Sequence, residues 1–248
     1  MDTIVITASA GSFSRLSEAL GKIPARVIER PLVSFSPPDD WTELDRALEE
    51  RSRYGSLALT SPRAAAAVAE RIREAGISWE NGPHPRVWSA GSATADALEG
   101  IVGAVEDGLA HSATGESAAE RLARAMLSAR APGPVLFPCG DRRRDELPAT
   151  LRGGGLEVHE VVCYRTLLAG PAQVRAAVSG ASMIVAASPS VVRLLLDASP
   201  PIGRPALVAI GPTTAAAARA GGWQPAAVSS VPSTAALATA ITELLTHH

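Results

Sequence analysis

Four short stretches of this chain put hydroxyl groups and glycines where an apolar run gives way to a helical pattern. They are "TSPRA" (60–64), "AGSATADAL" (90–98), "ASPS" (187–190) and "AIGPTTAAAA" (209–218). The first turn of a helix carries unpaired N–H groups and the positive end of the helix dipole, which together can seat an anion. Thr60, Ser61, Gly91, Thr94, Ser188, Ser190, Gly211, Thr213 and Thr214 are therefore candidate contacts for acidic groups, with Arg63 beside them. The same residue types also cap helices and form turns, and that is the commoner meaning of any single stretch. Their recurrence in both halves of the chain weakens the capping reading without removing it.

A fifth stretch, "CGDRRRDELP" (139–148), places Gly140 and three consecutive arginines, Arg142 to Arg144, near an expected helix start. Cations are mildly unfavourable there, so an anionic ligand would account for them. Alternatively the helix begins at Asp145 and the arginines lie in a solvated turn. Tyr164, one of two tyrosines, lies in "VVCYRT" (161–166). Its phenol can give up a proton, although a tyrosine in a strand is more often part of a core. Neither GxSxG, a Walker loop, GxGxxG nor HExxH occurs, so no catalytic motif names a reaction.

The elements that must hold these residues are legible as short apolar runs: 3–7, 56–60, 86–90, 134–138, 182–187 and 206–210. They lack polar alternation, as strands buried on both faces do, and each leads into a helical pattern. That alternation predicts α/β units with parallel sheets flanked by helices. Ser61-Pro62 and Ser188-Pro189 mark helix starts, Ser117 with Glu120 fits a capping box, and Asp40 with Glu43 opens another helix.

The units repeat. "SLALTSPRAAAAV" resembles "MIVAASPSVVRLL", and "VWSAGSATADAL" resembles "LVAIGPTTAAAA". More weakly, residues 3–21 resemble 134–152. Two similar modules follow, with a cleft between them as the natural ligand site. Crossings between modules are expected at 33–40 and 163–173. The expected domains are therefore 1–34 plus 172–248, and 35–171.

Composition narrows the partners. The net charge of −2 gives no bulk attraction to nucleic acid or to an anionic membrane. Cys139 and Cys163 form no CxxC pair, and His84, His111, His159, His247 and His248 lack metal-ligand spacing. The thiols read as buried and reduced, in keeping with a cytoplasmic protein. The N-terminus reads as lacking a signal peptide, and no stretch reaches the length of a membrane span. His247 and His248 are given no function.

In order and spacing, "YGSLALTSPRA", "AGSATADAL", "VLFPCGDRRRDELPATL", "VVCYRT", "ASPS" and "AIGPTTAAAA" resemble the uroporphyrinogen-III synthase family, from Tyr54 to Leu237. The chain departs from it at Thr7-Ala8-Ser9-Ala10, where many members carry an arginine. The resemblance implies two α/β domains joined by a two-stranded connection. It also implies a linear tetrapyrrole substrate with eight carboxylates, hydroxymethylbilane. The reaction would be cofactor-independent cyclisation with inversion of ring D and loss of water, carried out by a monomer. The family's proposed catalytic tyrosine falls on Tyr164; a phenol can act as a general acid. Substrate contacts would come from Thr60, Ser61, Arg63, Gly91, Thr94, Gly140, Arg142, Ser188, Ser190, Gly211, Thr213 and Thr214. The competing expectation is a non-catalytic two-domain module that binds a tetrapyrrole or another polyanion.

Overall fold

A computed structural model of the chain describes residues 2–13, 15–21, 25–107, 117–198, 203–231 and 233–246. His111, His247 and His248 lie outside the described residues. In chain order the structure begins with β1 (Asp2–Ile6), α1 (Leu16–Ala19), β2 (Ala25–Glu29) and β3 (Val33–Ser36). Next come α2 (Thr42–Glu49), β4 (Ser56–Leu59), α3 (Pro62–Glu74), β5 (Arg86–Ser89), α4 (Ser92–Asp96) and β6 (Val105–Asp107). These are followed by α5 (Ala118–Ser128), β7 (Val135–Gly140), α6 (Glu146–Gly153), β8 (Val158–Leu168) and α7 (Pro171–Val178). The last are β9 (Met183–Ala186), α8 (Pro189–Ala198), β10 (Ala206–Ala209), α9 (Pro212–Ala220), β11 (Ala227–Val228) and α10 (Thr234–Thr246).

The chain divides into two compact units. Unit 1 is Met1–Ser34 with Leu167–His248, and unit 2 is Phe35–Thr166. The second passage between units thus falls within β8, an 11-residue strand, rather than in the Gly170-Pro171 turn that follows it. Unit 1 has a five-stranded sheet in the order β11-β10-β9-β1-β2; the six-stranded sheet runs β3-β8-β7-β4-β5-β6. β1 pairs in parallel with β2 and β9, and β4 pairs in parallel with β5 and β7.

The apolar runs become strands because helices cover both faces of each sheet. Every residue of β4, β7 and β9 is buried. Opposite faces of the unit 2 sheet feed two clusters. One gathers Leu57, Leu59, Val68 and Ile72, the other Ala58, Leu122, Met126 and Phe137. Burying each large side chain contributes roughly 1.5–3 kcal/mol. Local chemistry sets the helix starts. Ser61 Oγ accepts from Ala64 N at 3.1 Å, with Pro62 as the first helical residue. Ser117 and Glu120 close a reciprocal box at 2.8 and 3.2 Å. Asp40 Oδ1 accepts from Thr42 N at 2.9 Å. Among the described residues, no helix is long and apolar enough to cross a membrane.

The strand order locates the place where a ligand would sit. From β4 the chain moves one way across the sheet to β5 and β6, then returns to β7 and β8 on the other side of β4. The loops after β4 and β7 therefore leave in opposite directions and open a crevice at the carboxyl ends of the strands. In unit 1 the corresponding reversal lies between β1 and β9.

Candidate active site

The crevice between β4 and β7 is a cavity of about 310 Å³. Thr60 and Ser61 enter it from the end of β4, and Gly140 and Arg142 from the end of β7. Tyr164 comes from β8, and Ser117 from the start of α5. Five of the residues singled out by sequence thus share one wall-to-wall space within unit 2. By sequence Ser117 reads only as a cap, because its capping box fully accounts for the local pattern. The Ser61 hydroxyl accepts one bond as a cap and keeps its own proton for a further acceptor. The N-termini of α3 and α5 and the Arg142 guanidinium offer donors to an acidic group, and the Glu146 carboxylate lines the same cavity.

The three arginines separate into different roles. α6 begins at Glu146 with Asp145 flanking it, so the arginines occupy the preceding turn. Of the two expectations, this is the one in which the helix begins after the arginines, at Asp145. Arg143 pairs with Glu160 on β8 and with Asp145 at 2.8 Å, and Arg144 lies 3.6 Å from Glu146. Glu160 also takes Arg152 at 2.7 Å. Arg142 is exposed and has no carboxylate partner among the described residues.

Tyr164 is half-buried and stands opposite an irregularity in the sheet. Cys139 faces Val162, but Gly140 faces Tyr164, so β8 carries one extra residue, Cys163. The bulge re-aims the side chains beyond it. Asp141 secures the same corner: its N–H donates to Tyr164 O at 3.1 Å, and its carboxylate accepts from Thr166 N at 2.8 Å. On its other side Tyr164 lines a second cavity of about 240 Å³ with Phe35, Trp41, Arg63 and Cys163. Phe35 meets the Tyr164 ring edge-on at 5.9 Å. The Arg63 guanidinium lies 3.7 Å over Phe35 and 5.9 Å from the Tyr164 ring. This cation–π contact holds Arg63 against the tyrosine wall.

Both cysteines are inert by environment. Burial pushes the Cys139 thiol up to about 11 and the Cys163 thiol up to about 12. Cys163 Sγ donates to Cys139 O at 3.4 Å. Thiols so protonated are poor nucleophiles.

The remaining candidates lie elsewhere. Gly91 and Thr94 open α4 at the end of β5, on the same sheet edge but outside both cavities, and Thr94 is buried. Ser188, Ser190, Gly211, Thr213 and Thr214 belong to unit 1, at the ends of β9 and β10. Ser188 caps α8 by accepting from Val191 N at 3.3 Å; Thr213 is exposed, whereas Thr214 is buried. A Cβ built on Gly91 or Gly211 would meet nothing within 4 Å. At the departure from the family pattern, Thr7 is buried and its hydroxyl donates to Val185 O at 2.7 Å.

Comparison with known proteins bears on the whole chain. The chain is 27% identical over 226 residues to the chloroplastic uroporphyrinogen-III synthase of Oryza sativa subsp. japonica, covering 87% of this chain and 72% of that protein. Its fold matches a uroporphyrinogen III synthase structure from the extremely thermophilic bacterium Thermus thermophilus with a TM-score of 0.65 at 15% identity. It matches the uroporphyrinogen-III synthetase structure from Helicobacter pylori with a TM-score of 0.61 at 16% identity. Each match covers 100% of both chains. A family model described as uroporphyrinogen-III synthase HemD matches residues 14–239, and the chain belongs to that family.

Proposed function

We propose that the chain is a cofactor-independent uroporphyrinogen-III synthase, with the 310 Å³ cavity of unit 2 as part of its substrate site. The observation that carries this reading is the meeting of the Tyr164 phenol, the Thr60 and Ser61 hydroxyls and Arg142, which has no carboxylate partner among the described residues, at the strand-order reversal. Hydroxymethylbilane bears eight carboxylates. A protein with a net charge of −2 must hold them by local donors rather than by its overall field.

Tyr164 donates its proton to the departing hydroxyl of ring A, which leaves as water. The electron pair of the C–O bond leaves with the oxygen, and the ring A pyrrole, keeping its N–H, becomes, beside the phenolate, a cationic azafulvenium. The substituted α-carbon of ring D attacks it and gives a spirocyclic intermediate. Opening of that intermediate and reclosure at the other α-carbon inverts ring D, and loss of a ring proton restores aromaticity and the phenol. General acid catalysis contributes typically about 10²–10⁴ in rate. The rest is positioning: the donors fold the bilane so that the substituted carbon is the one presented.

The test supplies hydroxymethylbilane and resolves the product isomers, because the bilane also closes unaided to the uninverted isomer I. The expected product is mainly isomer III. Isomer I alone, formed at the unaided rate, would defeat the reading and leave a tetrapyrrole-binding module, consistent with the family departure at Thr7 to Ala10.

A further inference from the structure

Gly140 is buried at the end of β7, and its backbone is not in the left-handed region, so conformational freedom does not account for a glycine there. The space beside it does. A Cβ on Gly140 would lie 2.5 Å from Cζ, 2.6 Å from Cε2 and 2.8 Å from the phenol oxygen of Tyr164. The hydroxyl end of the ring lies against the bare backbone of β7, and the bulge sets Gly140 opposite Tyr164. We propose that Gly140 is a positioning residue: its missing side chain is the seat that fixes the Tyr164 phenol oxygen at the wall shared by the 310 and 240 Å³ cavities. The proposal deepens the reading of Tyr164 as proton donor and rests on it.

The direction of the response to a methyl group follows from what can move. β7 is hydrogen-bonded between β4 and β8, and all six of its residues are buried. The phenol projects between two open cavities and turns about its own side-chain torsions. Carbon atoms settle about 3.5–4.0 Å apart, so a Cβ at 2.5 Å drives the ring roughly 1 Å or more from its place. Misplacement of a reacting group by about 1 Å costs on the order of 10²-fold in rate. The glycine therefore serves Tyr164, a role beside the substrate contact expected of it at the cavity wall.

Two linked cycles test this. In the assay, Gly140→Ala should slow isomer III formation by about 10²-fold in kcat, to within a few-fold of Tyr164→Phe. The share of isomer I should rise and KM should change much less. Adding Gly140→Ala to Tyr164→Phe should slow the reaction no further. In thermal unfolding, Gly140→Ala should lower Tm when Tyr164 is present and leave it unchanged in a Tyr164→Ala background, where the ring has vacated the space. A Gly140→Ala enzyme with the wild-type rate and isomer ratio overturns the proposal. So does an equal loss of Tm in both backgrounds, because the methyl would then be striking something other than the ring. If Tyr164→Phe itself matches wild type, the acid reading falls and the catalytic half of the proposal falls with it. The thermal cycle would still report whether glycine and ring share one space.

Discussion

Replacing Arg142 with glutamine removes the one cation of the 142–144 run that no described carboxylate holds. Its exposure sets the size of the effect. An exposed guanidinium–carboxylate contact is worth about 0.2–1 kcal/mol, which corresponds to a rise in KM of up to roughly five-fold at 25 °C. The kcat should hold, because Arg142 touches none of the groups that move protons. Tm should hold as well, since no ion pair among the described residues is lost. The loss should be greatest at about 0.01 M ionic strength, where the screening length is about 30 Å. It should disappear near 1 M, where that length is about 3 Å. The assay is initial-rate kinetics on hydroxymethylbilane at several salt concentrations, with product isomers resolved. An unchanged KM at low salt would refute the reasoning and leave Arg142 as a solvated turn residue. A fall in kcat at constant KM would also refute it, because the arginine would then be acting on the transition state alone.

Arg143→Gln should behave in the opposite way: it strips one partner from Glu160, leaves Arg152 on it, and costs about 1 kcal/mol. Calorimetry should show a loss of about 2–4 °C in Tm with little change in KM. Tyr164→Phe keeps the ring and removes the donor. Isomer III should form about 10²-fold more slowly or less, with more isomer I and an unchanged melting curve. For the thiols, folding raises both pKa values above the ordinary value of 9.0, so the folded chain keeps protons that the unfolded chain releases. Their contribution is complete below about pH 9 and falls away as pH rises toward 11–12, by up to about 1.4 kcal/mol per pH unit for each thiol. Urea unfolding of the Cys139→Ala/Cys163→Ala double variant should show a flatter alkaline decline than wild type, and its isomer III yield should persist at neutral pH.

What could be read from the sequence was what the sequence settles locally. The hydroxyl of Ser61 and the ring of Pro62 fix a helix start within four residues, and the unbroken apolar runs at 56–60 and 182–187 demand sheets covered on both faces. The short strands β6 and β11 lack such runs, because each has only one neighbour in its sheet and little surface to bury. The arginine run was ambiguous for a different reason. Arg143, in the turn after β7, is committed by Glu160 on β8, a residue that no spacing rule connects to it. Phe35 beneath Arg63 comes from β3 meeting α3, and the bulge that turns Tyr164 over Gly140 comes from the register of β7 and β8; no spacing within either segment announces them. The residues that line the cavity were visible one by one; the side chains that hold them in place were not.

The discontinuity of unit 1 also has a temporal meaning. β1 sits inside its sheet, between β2 and β9, and Thr3 N donates to Ser182 Oγ across 179 residues of chain. At about 5–20 residues per second, a ribosome needs on the order of 10–35 s to deliver that partner. Phe35–Thr166 is continuous and emerges within that interval, so unit 2 can close while β1 and β2 wait as a two-strand fragment. Throughout the wait Ile4, Val5 and Ile6, which end fully covered, lie along an unpaired edge. The nascent chain therefore carries an adhesive N-terminal ribbon until its last third arrives, and it is during that period, rather than in the finished protein, that a chaperone has something to hold.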